Sequence, residues 1–179
     1  YITRASGLVA AVALVVLMLS GIGQVTGYTF KFLEPLTAWA SHRALGLAFG
    51  VAVLLHVFSL LFDNFVKFNI FQLLIPWLSD YRPVTVFGFN LGSLYIALGV
   101  LALYLIVAVI ITSLLWVDKK PHVWKIIHLL SYLAIFFVFI HALYMGTDLA
   151  SGIYRYLWIF FGIGVLLGTI HRLWRAKTI

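Results

Sequence analysis

Two stretches of this sequence set histidines into otherwise apolar surroundings. "HRALGLAFGVAVLLH" places His42 and His56 at an i, i+14 spacing, and "HLLSYLAIFFVFIH" places His128 and His141 at i, i+13. Imidazole is a neutral ligand for transition metals near physiological pH, and it is costly to leave unpartnered in an apolar medium. On an ideal helix, the i, i+14 spacing spans about 21 Å and leaves the two side chains about 40° apart in projection. His42 and His56 therefore share one face at two heights. The i, i+13 pair spans about 20 Å but diverges by about 140°. His128 and His141 can face one way only if their helix bends, carries a π-bulge, or approaches two sites differently.

The elements that must hold these residues follow from composition. Of the 179 residues, 64% are hydrophobic and 9% charged, with a mean hydropathy of +1.12. That leaves too little polar surface to coat a water-soluble globule, so the solvent is a lipid bilayer. A spanning helix needs about 20 mostly apolar residues. Five segments qualify: 7–27, 43–62, 91–117, 124–146 and 150–171. The fold class is all-α membrane protein, a bundle of about five transmembrane helices forming a single domain over residues 1–179. The first segment reads as a span, with only Arg4 before it and no small-residue cleavage site. The start at Tyr1, without methionine, reads as a piece of a longer protein.

Residues 28–41 and 118–123 read as short loops on one side, the second marked by "DKKPH". Residues 63–90 form a longer connection rich in aromatics, with Pro76 and Pro83, suited to the membrane interface either as a lid or as a connector. With the amino terminus outside, Lys31, Arg43, Lys119, Lys120, Lys125, Arg172, Arg175 and Lys177 fall inside, and Arg4, Lys67, Arg82 and Arg155 fall outside. That excess of cations favours a cytoplasmic carboxyl terminus. The expected location is a bacterial inner (plasma) membrane.

Several chemistries are excluded. The chain has no cysteine, hence no disulfide, thiolate iron-sulfur site or covalently attached c-type haem. The net charge of +7 is spread between the spans and is not gathered in a basic run with interleaved aromatics, so no nucleic-acid partner is implied. "GIGQVTG" and "GIGVLLG" imitate dinucleotide fingerprints, but the third glycine is one place late and no strand precedes either. Their Gly23–Gly27 and Gly164–Gly168 spacings read as small-residue helix packing, leaving no flavin or nicotinamide site in this chain. Glu34, Asp63, Asp80, Asp118 and Asp148 all lie in loops or at helix ends, so no carboxylate relay crosses the membrane as in ion-coupled transport.

The intramembrane ionisable groups are thus histidines. Helices two and four run in the same direction, which sets His42 level with His128 and His56 level with His141. Two such pairs suit two haems between helices two and four, each iron taking one imidazole from each helix, and this satisfies four costly polar groups at once. The competing reading is a haem-free transporter or structural subunit whose histidines bond neighbouring helices. His122 and His171 lie at inner helix ends and read as interfacial residues or contacts to propionates. Phe49, midway between His42 and His56, and Phe136 read as packing or lipid-facing aromatics, with electron transfer as the sharper alternative. Arg43 offers its guanidinium either to an inner haem propionate or as a cytoplasmic anchor. Lys67 and Arg155 have the corresponding choice outside.

The two histidine stretches, in this order and at these separations, resemble the ferric reductase-like transmembrane domain shared by NADPH oxidases, ferric reductases and the membrane haem subunit of bacterial methionine sulfoxide reductase. The resemblance covers nearly the whole chain. It implies two b-type haems, the inner on His42 and His128 and the outer on His56 and His141. Electrons would enter from FAD or FMN reduced by NAD(P)H, carried by a cytoplasmic flavin reductase domain or protein outside this sequence. They would leave to an outer acceptor such as ferric iron, oxygen or a periplasmic redox partner. Leu60 stands where many superoxide-forming members carry a further histidine, and His42 stands where methionine sulfoxide reductase subunits tend to carry arginine. A quinol-linked cytochrome b is the alternative within redox chemistry.

Overall fold

In the structure, a computed structural model that describes residues 1–176, apolar composition becomes five helical spans. They are α1 (Ile2–Thr26), α2 (Pro35–Leu60), α4 (Leu94–Leu115), a two-piece span α5 (Pro121–Leu129) and α6 (Ser131–Met145), and α7 (Gly152–Ala176). Lys177, assigned above to the inner cations, lies outside the described residues. Three spans start earlier than hydropathy indicates, because a hydropathy window measures bilayer thickness and a helix continues past it. Pro35 and Pro121 each occupy a first helical turn, where a fixed φ and a missing N–H carry no penalty. His42 consequently sits two turns inside α2 and not at its mouth.

Helix α1 packs along α2, and α4 along α6, as the two most extensive helix contacts. One core joins Leu14 and Met18 of α1, Phe49 and Ala52 of α2, Ala102 and Ile106 of α4, Ala134 and Ile135 of α6, and Val165 of α7. Ala97, Ala102 and Ala134 are almost completely buried. Such small residues bring backbones close, and in lipid that close packing drives helix association. Phe49 belongs to this core, whereas Phe136 points outward at 58% exposure. Around the core the outer faces keep their large apolar side chains exposed, as a bilayer requires.

The glycine packing motifs divide differently from their spacing. Gly168 does pack against Ile22 of α1, but Gly164 has open space around it. Gly27 ends α1 in a left-handed cap at φ 80°, and so breaks the helix instead of packing it.

The connection 63–90 is folded. Asn69 and Gln72 form a reciprocal capping box that starts α3 (Ile70–Leu74). Strands β1 (Thr85–Val86) and β2 (Phe89–Asn90) pair antiparallel across Phe87 and Gly88, whose φ values of 50° and 83° make the tight turn. The segment is tied to the bundle: Tyr104, midway along α4, donates from Oη to the Leu74 carbonyl at 2.5 Å, and the Arg82 guanidinium donates to the carbonyl of Tyr144 at the end of α6 at 3.4 Å.

Candidate haem-binding site

The four histidines come together in two pairs at opposite ends of the bundle. At one end the His42 and His128 rings lie with centroids 6.3 Å apart and planes inclined by 58°. At the other, His56 and His141 lie within electrostatic reach of one another. Helix α2 makes no extensive contact with α5 or α6, so the histidine-bearing faces stand apart across the bundle.

The bend that the i, i+13 spacing demands falls between His128 and His141. Leu130 interrupts the helix, and its N–H bonds the Ile127 carbonyl three residues back at 3.0 Å. A turn closed at three residues advances each residue by about 120° instead of about 100°. Overwinding in this sense narrows the angular offset between the two histidines.

Three of the four histidines are hydrogen-bonded to a neighbouring helix. His56 donates from Nδ1 to the Thr3 carbonyl at 3.0 Å, and His141 from Nδ1 to the Tyr95 carbonyl at 2.7 Å. A carbonyl only accepts, so Nδ1 carries the proton and Nε2 keeps its lone pair free for a metal. Four residues after each carbonyl stands a glycine against the same ring. A Cβ added at Gly7 would lie 3.0 Å from His56 Nδ1, and one at Gly99 would lie 2.6 Å from His141 Nδ1.

At the opposite end the bracing is weaker. His128 Nδ1 meets Ser113 Oγ at 3.3 Å, and Trp124 Nε1 donates to the same oxygen at 3.1 Å. Gly21 faces His42, with an added Cβ 3.3 Å from Cε1, but His42 Nδ1 is buried with no hydrogen-bond partner among the described residues. One separation repeats: Gly21, His56 and Ser113 each stand at i+14 from Gly7, His42 and Gly99 in turn. Hairpins α1–α2 and α4–α5/α6 are thus built alike, one helix bearing the histidines and its neighbour offering small residues at the same two heights.

No group of three or more His, Cys, Asp or Glu assembles among the described residues. The donor set at each height is two imidazoles, which suits an iron whose other ligands come from a macrocycle. Two metal–nitrogen bonds of about 2 Å plus the radii of two imidazole rings put centroids about 6 Å apart, the separation found for His42 and His128. The residues present fit bis-histidine haem.

The sequence also matches a known family. Residues 6–140 match the family described as ferric reductase like transmembrane component. The chain belongs to this family. The match takes in His42, His56 and His128 and stops one residue before His141. No curated protein and no solved structure matches the chain. Membership in the ferric reductase-like family makes this an integral membrane protein of an oxidoreductase class associated with electron transfer across the bilayer.

Among the remaining candidates, Arg43 stands over the Trp39 ring at 5.4 Å on an exposed face. Arg155 donates to the carbonyls of Leu149 and Ala150, closing the turn before its own helix. Lys67 and His122 are exposed. Sequence reading missed Arg172 as a site residue: it bonds Tyr132 Oη and lies within electrostatic reach of His128. The braces Gly7, Gly21, Gly99 and Ser113 were missed too. Their signal was the i, i+14 interval shared with the first histidine pair.

Proposed function

We propose that this chain conducts electrons across a plasma membrane through two b-type haems, the inner held by His42 and His128 and the outer by His56 and His141. The observation that carries the reading is the 6.3 Å separation of the His42 and His128 rings, which lie on different helices. When bound, haem supplies a one-electron iron couple whose potential depends on its axial ligands and surroundings.

The protein's own residues do the rest. His56 and His141 present Nε2 because their Nδ1 protons are given to helix carbonyls. Phe49 fills the interval between the two heights with apolar bulk. The surrounding helices exclude water and shield the sites from premature acceptors. Arg172, held on Tyr132 near His128, supplies a cation at the inner end suited to a propionate, and Arg43 offers a second from α2.

Electrons enter from a cytoplasmic flavin domain or protein using FAD or FMN and NAD(P)H, and leave to an outer acceptor of the ferric iron, oxygen or periplasmic redox-partner class. The carboxyl terminus is cytoplasmic, which accords with the cation asymmetry. The test is the visible spectrum and haem stoichiometry of the chain purified from haem-replete cells. A Soret band, a reduced α-band and two haems per chain are expected, and a folded chain without these bands overturns the proposal.

A further inference from the structure

The bracing contacts separate the two ends of the bundle chemically. At the His56–His141 end both imidazoles give Nδ1–H to backbone carbonyls, at 3.0 and 2.7 Å. At the His42–His128 end the only Nδ1 partner is a serine hydroxyl at 3.3 Å that already accepts from Trp124, while His42 Nδ1 has none among the described residues.

For His56, His141 and His128 the cause lies one helix away. Gly21 faces His42 without any such bond among the described residues, so a glycine permits the clasp but does not impose it. In an α-helix the carbonyl of residue i is bonded by the N–H of residue i+4, so Thr3 is covered by Gly7 and Tyr95 by Gly99. Any side chain at i+4 shields that oxygen from the flank, and glycine leaves it open. The imidazole lies against the bare backbone and adds a second hydrogen bond to the same carbonyl, which has two lone pairs. Val109 is the equivalent carbonyl residue at the other end of α4. The position four residues later is Ser113, whose hydroxyl meets His128 instead.

We infer that Gly7, Gly99 and Ser113 are positioning residues that select the Nδ1 partner of His56, His141 and His128, giving the outer metal site two carbonyl-anchored imidazoles and the inner site none. This rests on the bis-histidine reading above. A hydrogen bond from Nδ1–H to a carbonyl fixes the ring and increases the electron density that Nε2 gives the metal. More basic axial ligands favour the ferric over the ferrous state, so the clasp holds the outer haem at a lower potential than it would have without it. The outer ligands are also the more rigidly oriented.

The experiment is a spectroelectrochemical titration of the haem-loaded chain, with haem stoichiometry and low-spin EPR, on wild type, Gly7→Ala, Ser113→Ala and Gly164→Ala. An alanine at Gly7 puts its methyl 3.0 Å from His56 Nδ1 and Cε1, close enough to move the ring by a few tenths of an ångström. The outer step then shifts to higher potential and its EPR signal changes, while the inner step stays. Ser113→Ala introduces no clash, although it also leaves Trp124 Nε1 without its acceptor. It shifts the inner step upward and leaves the outer one in place. Gly164→Ala, where nothing lies within 4 Å, changes neither step. If the wild type holds two haems that need all four histidines, yet Gly7→Ala and Ser113→Ala leave both steps and both EPR signals unmoved, the clasp is wrong and the ligand assignment stands. If Gly7→Ala does not fold, the Ser113→Ala shift decides. A folded wild type that takes up no haem overturns both readings.

Discussion

His141 gives its Nδ1 proton to the Tyr95 carbonyl at 2.7 Å, and the Tyr95 ring stacks on Tyr144 at 4.2 Å with the planes 4° apart. One tyrosine thus fixes the tautomer of the histidine through its backbone and the end of the histidine's helix through its side chain. Tyr144→Ala removes the stacking partner while keeping the ligand. It is expected to weaken outer haem retention, read as partial loss of haem during dilution or mild heating, with the inner haem kept. Equal loss from both sites would show that the stack acts on the whole bundle.

The inner pair has its own consequence. His42→Leu or His128→Leu removes one of two imidazoles whose centroids lie 6.3 Å apart, so haem content falls toward half. Reduction of the remaining haem by a cytoplasmic flavoprotein slows sharply because the point of entry is gone. Stopped-flow reduction of each variant beside wild type measures this, and wild-type rates in both would remove the entry role.

Orientation is tested by labelling. A reporter fused after Ile179 reads as cytoplasmic, and one inserted near Phe87 and Gly88, at the hairpin tip, reads as outside. Reversed signals would exchange the inner and outer sites without touching the histidine pairing.

Packing between α6 and α7 turns on a glycine. A methyl at Gly162 would overlap the Phe139 ring, which itself stacks on Trp158 at 5.4 Å. Gly162→Ala should destabilise the chain by about 1–3 kcal/mol through overpacking, seen as a lower unfolding midpoint in detergent. An unchanged midpoint would mean that the Phe139 ring moves aside freely.

A pH effect follows from Asp148, which lies just beyond α6 and pairs with Arg4 at the start of α1. The hydrogen bond from Arg4 holds the Asp148 carboxyl below the usual carboxylate range. A carboxyl depressed on folding adds stability above its unfolded pKa, about 3.9, and loses it as the pH falls through the lower folded value. Because the pair is exposed the effect is modest. Asp148→Asn should melt slightly below wild type at about pH 7, and the difference should begin to narrow near about pH 4 and vanish only as the pH falls through the lower folded value of Asp148. A difference that does not narrow at all as the pH falls below about 4 would assign it to another contact.

Much of the arrangement was legible in the sequence because two properties are carried by residue type alone. Apolar length marked out the five spans, and the histidine intervals marked two heights on two helices. The need for a bend between His128 and His141 was also legible, but its location was not. No proline or glycine marks Leu130. The break falls between the contact of His128 with Ser113 and the contacts of His141 with Tyr95 and Gly99. The bracing glycines were hidden for a related reason: a glycine's role depends on what faces it, and Gly164 and Gly99 look alike until the helices are paired.

The central claim is that four histidines hold two haems in series, and the most direct measurement is haem stoichiometry with reduction kinetics on folded, monodisperse His56→Leu and His141→Leu. The account predicts that each variant keeps the inner haem, loses the outer one, still accepts electrons from a cytoplasmic flavoprotein, and no longer passes them to a membrane-impermeant acceptor. Variants that retain both haems and full outward transfer would contradict it.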